Sequence, residues 1–307
     1  MQKGKFFYVL LFLSVILAGP AAFAHKGTPP LSKEDQEMLG RLEDSLVVLA
    51  DSMIQAPVPD DRIDFCIRFT KKLRAAFETP GSFDYPFSRL AGKIHILNAD
   101  DKSFRIFNWL VAPSENVRRY YGAIQMAGET QVFYPLKDFS ANLDKDGATT
   151  TLNSDHWYGC EYYKILSQNI AGQKVYLLFG FNSAGLSSNK KLIDVLSFDA
   201  RGPLFGAPVF VVPDDRGQQL VQLSRLILEY KKDAQIYLNY DDAKKMILFS
   251  RISSEIADPN RKSTFIPTGQ MDGLRLENDV YRYVKDAIPV LKLQDGQAPI
   301  NGVMNGG

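Results

Sequence analysis

Lys93-Ile94-His95-Ile96-Leu97-Asn98, then Ala99-Asp100-Asp101, then Phe104-Arg105-Ile106-Phe107-Asn108-Trp109-Leu110-Val111 form the stretch on which the fold turns. Before Lys93 the apolar residues recur every three or four positions. From Lys93 onward they follow a period of two, interrupted by short polar turns, so helices give way to strands. The pattern then repeats as hairpins. Tyr120 to Met126 and Thr130 to Leu136 flank Ala127-Gly128-Glu129, and Trp157 to Gln168 and Lys174 to Phe181 flank Ala171-Gly172. Ile193 to Phe198 and Ala207 to Val212 flank Arg201-Gly202-Pro203, and a meander runs from Leu226 to Arg251 through Asp233 and Asp241-Asp242. This spacing predicts about eleven strands. A propeller needs at least about four blades of four strands, so a complete propeller is disfavoured. The expected class is α+β, with a large antiparallel sandwich or a strongly curved sheet. Ser263 to Asp286 stays undecided, because Pro267-Thr268-Gly269 and Met271-Asp272-Gly273 read as turns inside an alternating stretch.

Upstream, Ser32 followed by Glu34 and Asp35 reads as the capped start of a helix, with acids where the macrodipole favours them. Met38, Leu42, Leu46, Leu49 and Met53 give it one apolar stripe. Pro57 and Pro59 end it, and Asp60 or Asp61 is expected to cap a second helix carrying Ile63, Cys66, Phe69, Leu73 and Phe77. Thr79-Pro80-Gly81 stops that helix, giving a helical hairpin packed on one side of the sheet.

Residues 1 to 24 carry the marks of a secretory signal peptide: basic Lys3 and Lys5, apolar Phe6 to Ala18, the breakers Gly19-Pro20 and the small-residue site Ala22-Phe23-Ala24. The apolar run is too short for a permanent membrane helix, and no cysteine follows it to accept a lipid. Cleavage after Ala24 is expected, placing the mature chain in the periplasm or outside the cell with no transmembrane segment. The expected layout is a signal peptide over 1–24, a leader and helical hairpin over 25–82, a β-rich domain over 83–290 and a loose tail over 291–307.

Hydrophobic residues make up 45% and aromatic residues 12% of the 307, which excludes a disordered chain. Thirty-six basic residues against 35 acidic leave nothing to attract nucleic acid over long range. Cys66 and Cys160 are the only cysteines, too few for a disulfide scaffold. A single Cys66–Cys160 bridge stands open against two buried free thiols.

Chemistry has few footholds. His156, in Asp155-His156-Trp157, would serve as a general base if a carboxylate oriented it. Neighbours on an extended strand face opposite ways, so Asp155 is poorly placed for that and both residues read as a loop entering a strand. Gly180-Phe181-Asn182-Ser183-Ala184-Gly185 is one residue too long for a nucleophile elbow and reads as a turn. Asn142 to Gly147 copies half of a calcium loop through Asp144 and Asp146. Asn153 stands where the bidentate Glu belongs, which favours an acidic surface loop. His25 at the mature N-terminus, joined by His95 or His156, would make a copper brace resembling that of copper-dependent polysaccharide monooxygenases. Its leader is unanchored, and His95, alternating with Ile94 and Ile96, reads as structural. No cofactor is expected. The paired aromatics leave Tyr121, Trp157 and Tyr163 as candidates for stacking on a glycan or an envelope protein.

Phe104 to Trp109, Tyr121-Gly122-Ala123-Ile124-Gln125, Trp157 to Ile165 and Phe205-Gly206-Ala207-Pro208-Val209-Phe210 together resemble an uncharacterised family of exported bacterial proteins, over most of residues 60 to 285. The chain departs from that family's Trp-rich turn at Gly180-Phe181-Asn182-Ser183. The resemblance implies export and carries no activity or site. The expectation is therefore a non-enzymatic, envelope-associated binding or interaction module. The competing class is an extracytoplasmic enzyme, a hydrolase through His156 or a copper-dependent oxidase through His25.

Overall fold

The computed structural model describes residues 31–143, 147–214 and 217–289. The expected signal peptide over 1–24, His25, Asp144, Asp146 and the expected tail over 291–307 lie outside the described residues.

Helix α1 (Lys33–Gln55) starts as its sequence requires, with the Ser32 hydroxyl accepting from the Asp35 amide at 3.0 Å. Its buried stripe runs through Leu39, Leu46, Leu49, Ala50 and Met53, whereas Met38 is exposed. Helix α2 (Pro59–Phe77) begins one residue ahead of the expected cap. Pro59 opens its first turn, where a missing N–H leaves no hydrogen bond unmade, and Asp60 and Asp61 follow it inside that turn. The buried Glu43 of α1 fastens the segment after the hairpin: its carboxylate accepts from the Tyr85 hydroxyl at 2.7 Å and from the Arg89 and Leu90 amides. Burial alone would raise its pKa, but these hydrogen bonds outweigh burial and hold it below the ordinary value.

Strands β1 (His95–Asn98), β2 (Phe104–Ser114), β3 (Val117–Met126) and β4 (Phe133–Lys137) form a first sheet in chain order. There follow β5 (Leu152–Asn153), β6 (Glu161–Ile170), β7 (Gln173–Asn182), β8 (Ser188–Asp199), β9 (Gly202–Phe205), β10 (Phe210–Pro213), β11 (Leu220–Leu223) and β12 (Leu226–Lys231). The chain continues through β13 (Leu238–Asp241), β14 (Met246–Ser254), β15 (Phe265–Glu277) and β16 (Val280–Ile288). The second sheet has the order β5-β9-β8-β7-β6 with β12 also on β8; the third has the order β11-β10-β16-β15-β14-β13. The pairing between these strands is antiparallel except for β10 beside β16. The architecture is thus α+β, with two helices followed by antiparallel sheets.

Alternation along the central strands explains the stacking. On β2, Phe107, Trp109 and Val111 face the helices, while Phe104 and Ile106 face the second sheet. On β7, Tyr176 and Leu178 face the first sheet, while Val175, Leu177 and Phe179 pack with Ile247, Phe249 and Leu274 of the third. The protein is a stack of four layers: helical hairpin, sheet, sheet, sheet. The helices share their core with β2, so the hairpin is built onto the first sheet.

The structure corrects one expectation and decides two points that stood open. The described residues form sixteen strands instead of about eleven, because β5, β9, β11 and the C-terminal pair are added. The undecided stretch is the long hairpin β15–β16, which turns at Asn278-Asp279 with φ of 49° and 64°, as primed hairpin turns require. Pro267 and Gly269 lie inside β15. Cys66 and Cys160 are free thiols in separate cores on opposite faces of the first sheet. A sheet between two cysteines keeps their Cα atoms beyond the reach of a bridge, about 7 Å at most.

Candidate ligand cleft

Register builds the site. Glu161 on β6 pairs with Phe181 on β7, and Phe181 pairs with Lys191 on β8, so the three side chains share one row on the second sheet. Neighbouring strands lie about 4.8 Å apart, which separates the backbones of Glu161 and Lys191 by about 10 Å. Asn189, two residues before Lys191 and on the same face, pairs with Tyr230 of β12. A register shift between Tyr162 and Lys164 adds Tyr163 to this face. Its hydroxyl donates to the Leu238 carbonyl at 2.8 Å, which fixes its ring 5.7 Å from the Lys191 ammonium. His95, on the edge strand β1, closes one side with Nε2 3.6 Å from Glu161 Oε1. Ala234 and Ile236 close the other. The resulting open cleft measures about 580 Å³.

The electrostatics are those of a partly dried site. Burial pushes the Glu161 carboxyl up, against the opposing pull of His95. Burial pushes the Lys191 ammonium down, and burial together with Arg118 does the same to Lys232. Lys232 donates to the Ser183 and Gly185 carbonyls at 2.7 and 2.9 Å and so pins the loop between β7 and β8. Among the described residues Lys191 has no ion pair or hydrogen bond, and its ammonium is answered only by the Tyr163 ring. Asn189 Nδ2 donates to the Lys232 carbonyl at 3.0 Å, while its buried Oδ1 has no partner among the described residues.

The residues singled out in the sequence are dispersed. Asp155 and His156 do not enter a strand: they form a 3-10 turn capped by the Asn153 side chain. Asp155 pairs with Lys137 at 2.6 Å on the surface. The exposed His156 ring meets Asn153 Oδ1 at 3.2 Å and the Phe139 ring edge-on. The carboxylate that would orient this histidine is therefore engaged elsewhere. Trp157 is wholly buried, its indole N–H donating to the Tyr162 hydroxyl at 2.9 Å, so it is core and offers no stacking surface. Tyr121 is stacked on Trp109 at 5.9 Å beneath the helices. Ser183 follows an Asx turn in which Asn182 Oδ1 accepts from Ala184, and its amide donates to the Tyr120 hydroxyl. Of the aromatic candidates only Tyr163 reaches the cleft, and His95, read as structural, lies half-exposed at its edge. Glu161, Asn189 and Lys191 carried no local signal, because β pairing between distant segments brings them together.

No group of three or more metal-ligating side chains occurs among the described residues, and no described helix is long and apolar enough to cross a membrane. Comparison of the chain with protein-family models, curated proteins and solved structures finds no match.

Proposed function

We propose that the protein is an exported, non-enzymatic binding module of the periplasm or cell exterior, and that the cleft beside Lys191 is its ligand site. Export rests on the signal pattern of residues 1 to 24 and on the resemblance to exported bacterial proteins. N-terminal sequencing of the protein recovered outside the cytoplasm should begin at His25; a chain that still carries Phe6 to Ala18 refutes this.

One observation carries the binding half: a cleft of about 580 Å³ in which aromatic side chains from three strands stand beside a half-buried lysine without an ion-pair partner. Its volume falls in the range of small-molecule sites, about 300–1,000 Å³. Its mixed lining suits a ligand with one apolar face and a polar rim. The Ile236 and Ala234 methyl groups line the cleft and report on it by NMR. Titration with a panel of saccharides, amino acids and short peptides should shift these signals for one chemical class, and a panel that moves neither signal refutes the reading.

A second reading has its own observation, the His95–Glu161 pair at 3.6 Å. A carboxylate beside an imidazole at a cleft edge is the arrangement of a general base. A folded His95→Ala variant that keeps ligand binding but loses a measured turnover would replace the non-enzymatic reading by this one.

A further inference from the structure

The cleft holds a cation with no counter-charge among the described residues. The Lys191 ammonium is half-buried, and it lies over the face of Tyr163 without an ion pair. A cation removed from water in this way is stabilised most by an anion brought into contact with it. Glu161 stands two strands away in the same row, and Asp233 on the opposite side beside Ala234; both are acceptors that a second anion would face.

We propose that the cleft takes an acidic saccharide: a sugar ring whose carboxylate meets Lys191, with hydroxyls donating toward Glu161. The apolar ring face lies against Phe181 and Tyr230. This rests on the cleft being a ligand site. A free peptide carboxylate would satisfy Lys191 equally; a sugar ring also presents a flat apolar face to Phe181 and Tyr230 while its hydroxyls reach Glu161.

The test uses the mature chain, residues 25–307, with three probes: a trimer of galacturonic acid, its fully methyl-esterified form and the dipeptide Ala-Ala. Calorimetry measures affinity, and the Ile236 and Ala234 methyl signals show that binding is in the cleft. The acid should bind at least about tenfold more tightly than the ester, the worth of one charge-assisted contact. Lys191→Gln should erase that difference without weakening the ester, while Lys191→Arg keeps it and controls for folding. Equal binding of acid and ester overturns the proposal and leaves the cleft a ligand site, as does binding of the ester alone. Discrimination that survives Lys191→Gln removes the role of Lys191. Ala-Ala binding as tightly as the trimer overturns the saccharide assignment. If no probe moves the methyl signals, the acidic-saccharide proposal falls; the cleft itself then stands or falls with the wider panel.

Discussion

Replacing Arg225 by Met should destabilise the protein more than any change at its surface. Arg225 and Asp194 are both fully buried, with Arg225 Nε 2.9 Å from Asp194 Oδ2. The guanidinium also donates to the Gly147 and Phe205 carbonyls and lies 5.3 Å from the centre of the Tyr158 ring. Burial opposes its charge, but Asp194 outweighs burial and raises its pKa. Removing the cation leaves the Asp194 carboxylate with only the Val195 amide at 2.9 Å and the Tyr162 hydroxyl at 3.4 Å. An uncompensated buried charge costs about 3–5 kcal/mol. For a chain of this size each kcal/mol is worth about 2–4 °C, so Tm should fall by about 6–20 °C. Replacing both partners, in Asp194→Leu with Arg225→Met, removes the orphan and should recover most of that loss. Urea denaturation and calorimetry on the wild type, both single variants and the double variant close the cycle. A single variant within about 1 kcal/mol of wild type, or a double variant no better than the single, refutes the reasoning.

Asp272, buried in the third sheet, is raised by burial but held below its ordinary pKa by Arg251, the Tyr283 hydroxyl and the Asp286 amide. A depressed folded pKa contributes stability above the unfolded value, about 3.9, and loses it as pH falls through the folded one; Asp272→Asn should therefore flatten the loss of stability below about pH 4, seen in denaturation midpoints against pH. Gly180→Ala would place a Cβ 2.7 Å from Cys160 Sγ and 3.2 Å from the Tyr162 ring, so it should cost about 1–3 kcal/mol by denaturant titration, and a neutral result would mean that β7 is packed more loosely. Burial raises the pKa of both Cys66 and Cys160, so alkylation of the native protein should be slow and should label two thiols once the chain is unfolded. A mass two hydrogens lighter before reduction would contradict the free thiols.

What the sequence disclosed was local. The helical hairpin is legible because Ser32, the prolines and the apolar stripes act within a few residues of where they stand. The hairpins at Ala99-Asp100-Asp101 and Ala171-Gly172 are legible for the same reason. The stack of three sheets was not. Phe104 to Val111 and Val175 to Phe181 are apolar on both faces, a pattern that marks a strand covered on two sides. Read for alternation alone, it counts a strand and misses the layer above it. The cleft was less legible still, since Glu161, Phe181 and Lys191 form a row only after the registers of two successive hairpins, β6–β7 and β7–β8, are set. Tyr163 was found by composition, as an aromatic beside another aromatic. Trp157, beside Tyr158, met the same criterion and is core, because adjacency says nothing about which face a layer covers.

Strand β8 contrasts two charges within four residues, Asp194 fully buried and Lys191 half-buried. Asp194 points toward the first sheet and meets Arg225, and that pair carries hydrogen bonds from both sides; folding has answered its charge within the chain. Lys191 points the other way, and its β12 partner in the register is Leu228. A leucine at 191 would bury the same surface beside Leu228 and Phe181 without desolvating an ammonium, and the third sheet stops short of covering it. Packing therefore gives no reason for a lysine at this place, and the Tyr163 ring offsets only part of its lost hydration, by about 0.5–2 kcal/mol. The same strand shows that this chain supplies a counter-charge where stability alone is served. On the reading proposed above, a cation left without one at the wall of a cleft is met by an anion that arrives from outside the chain.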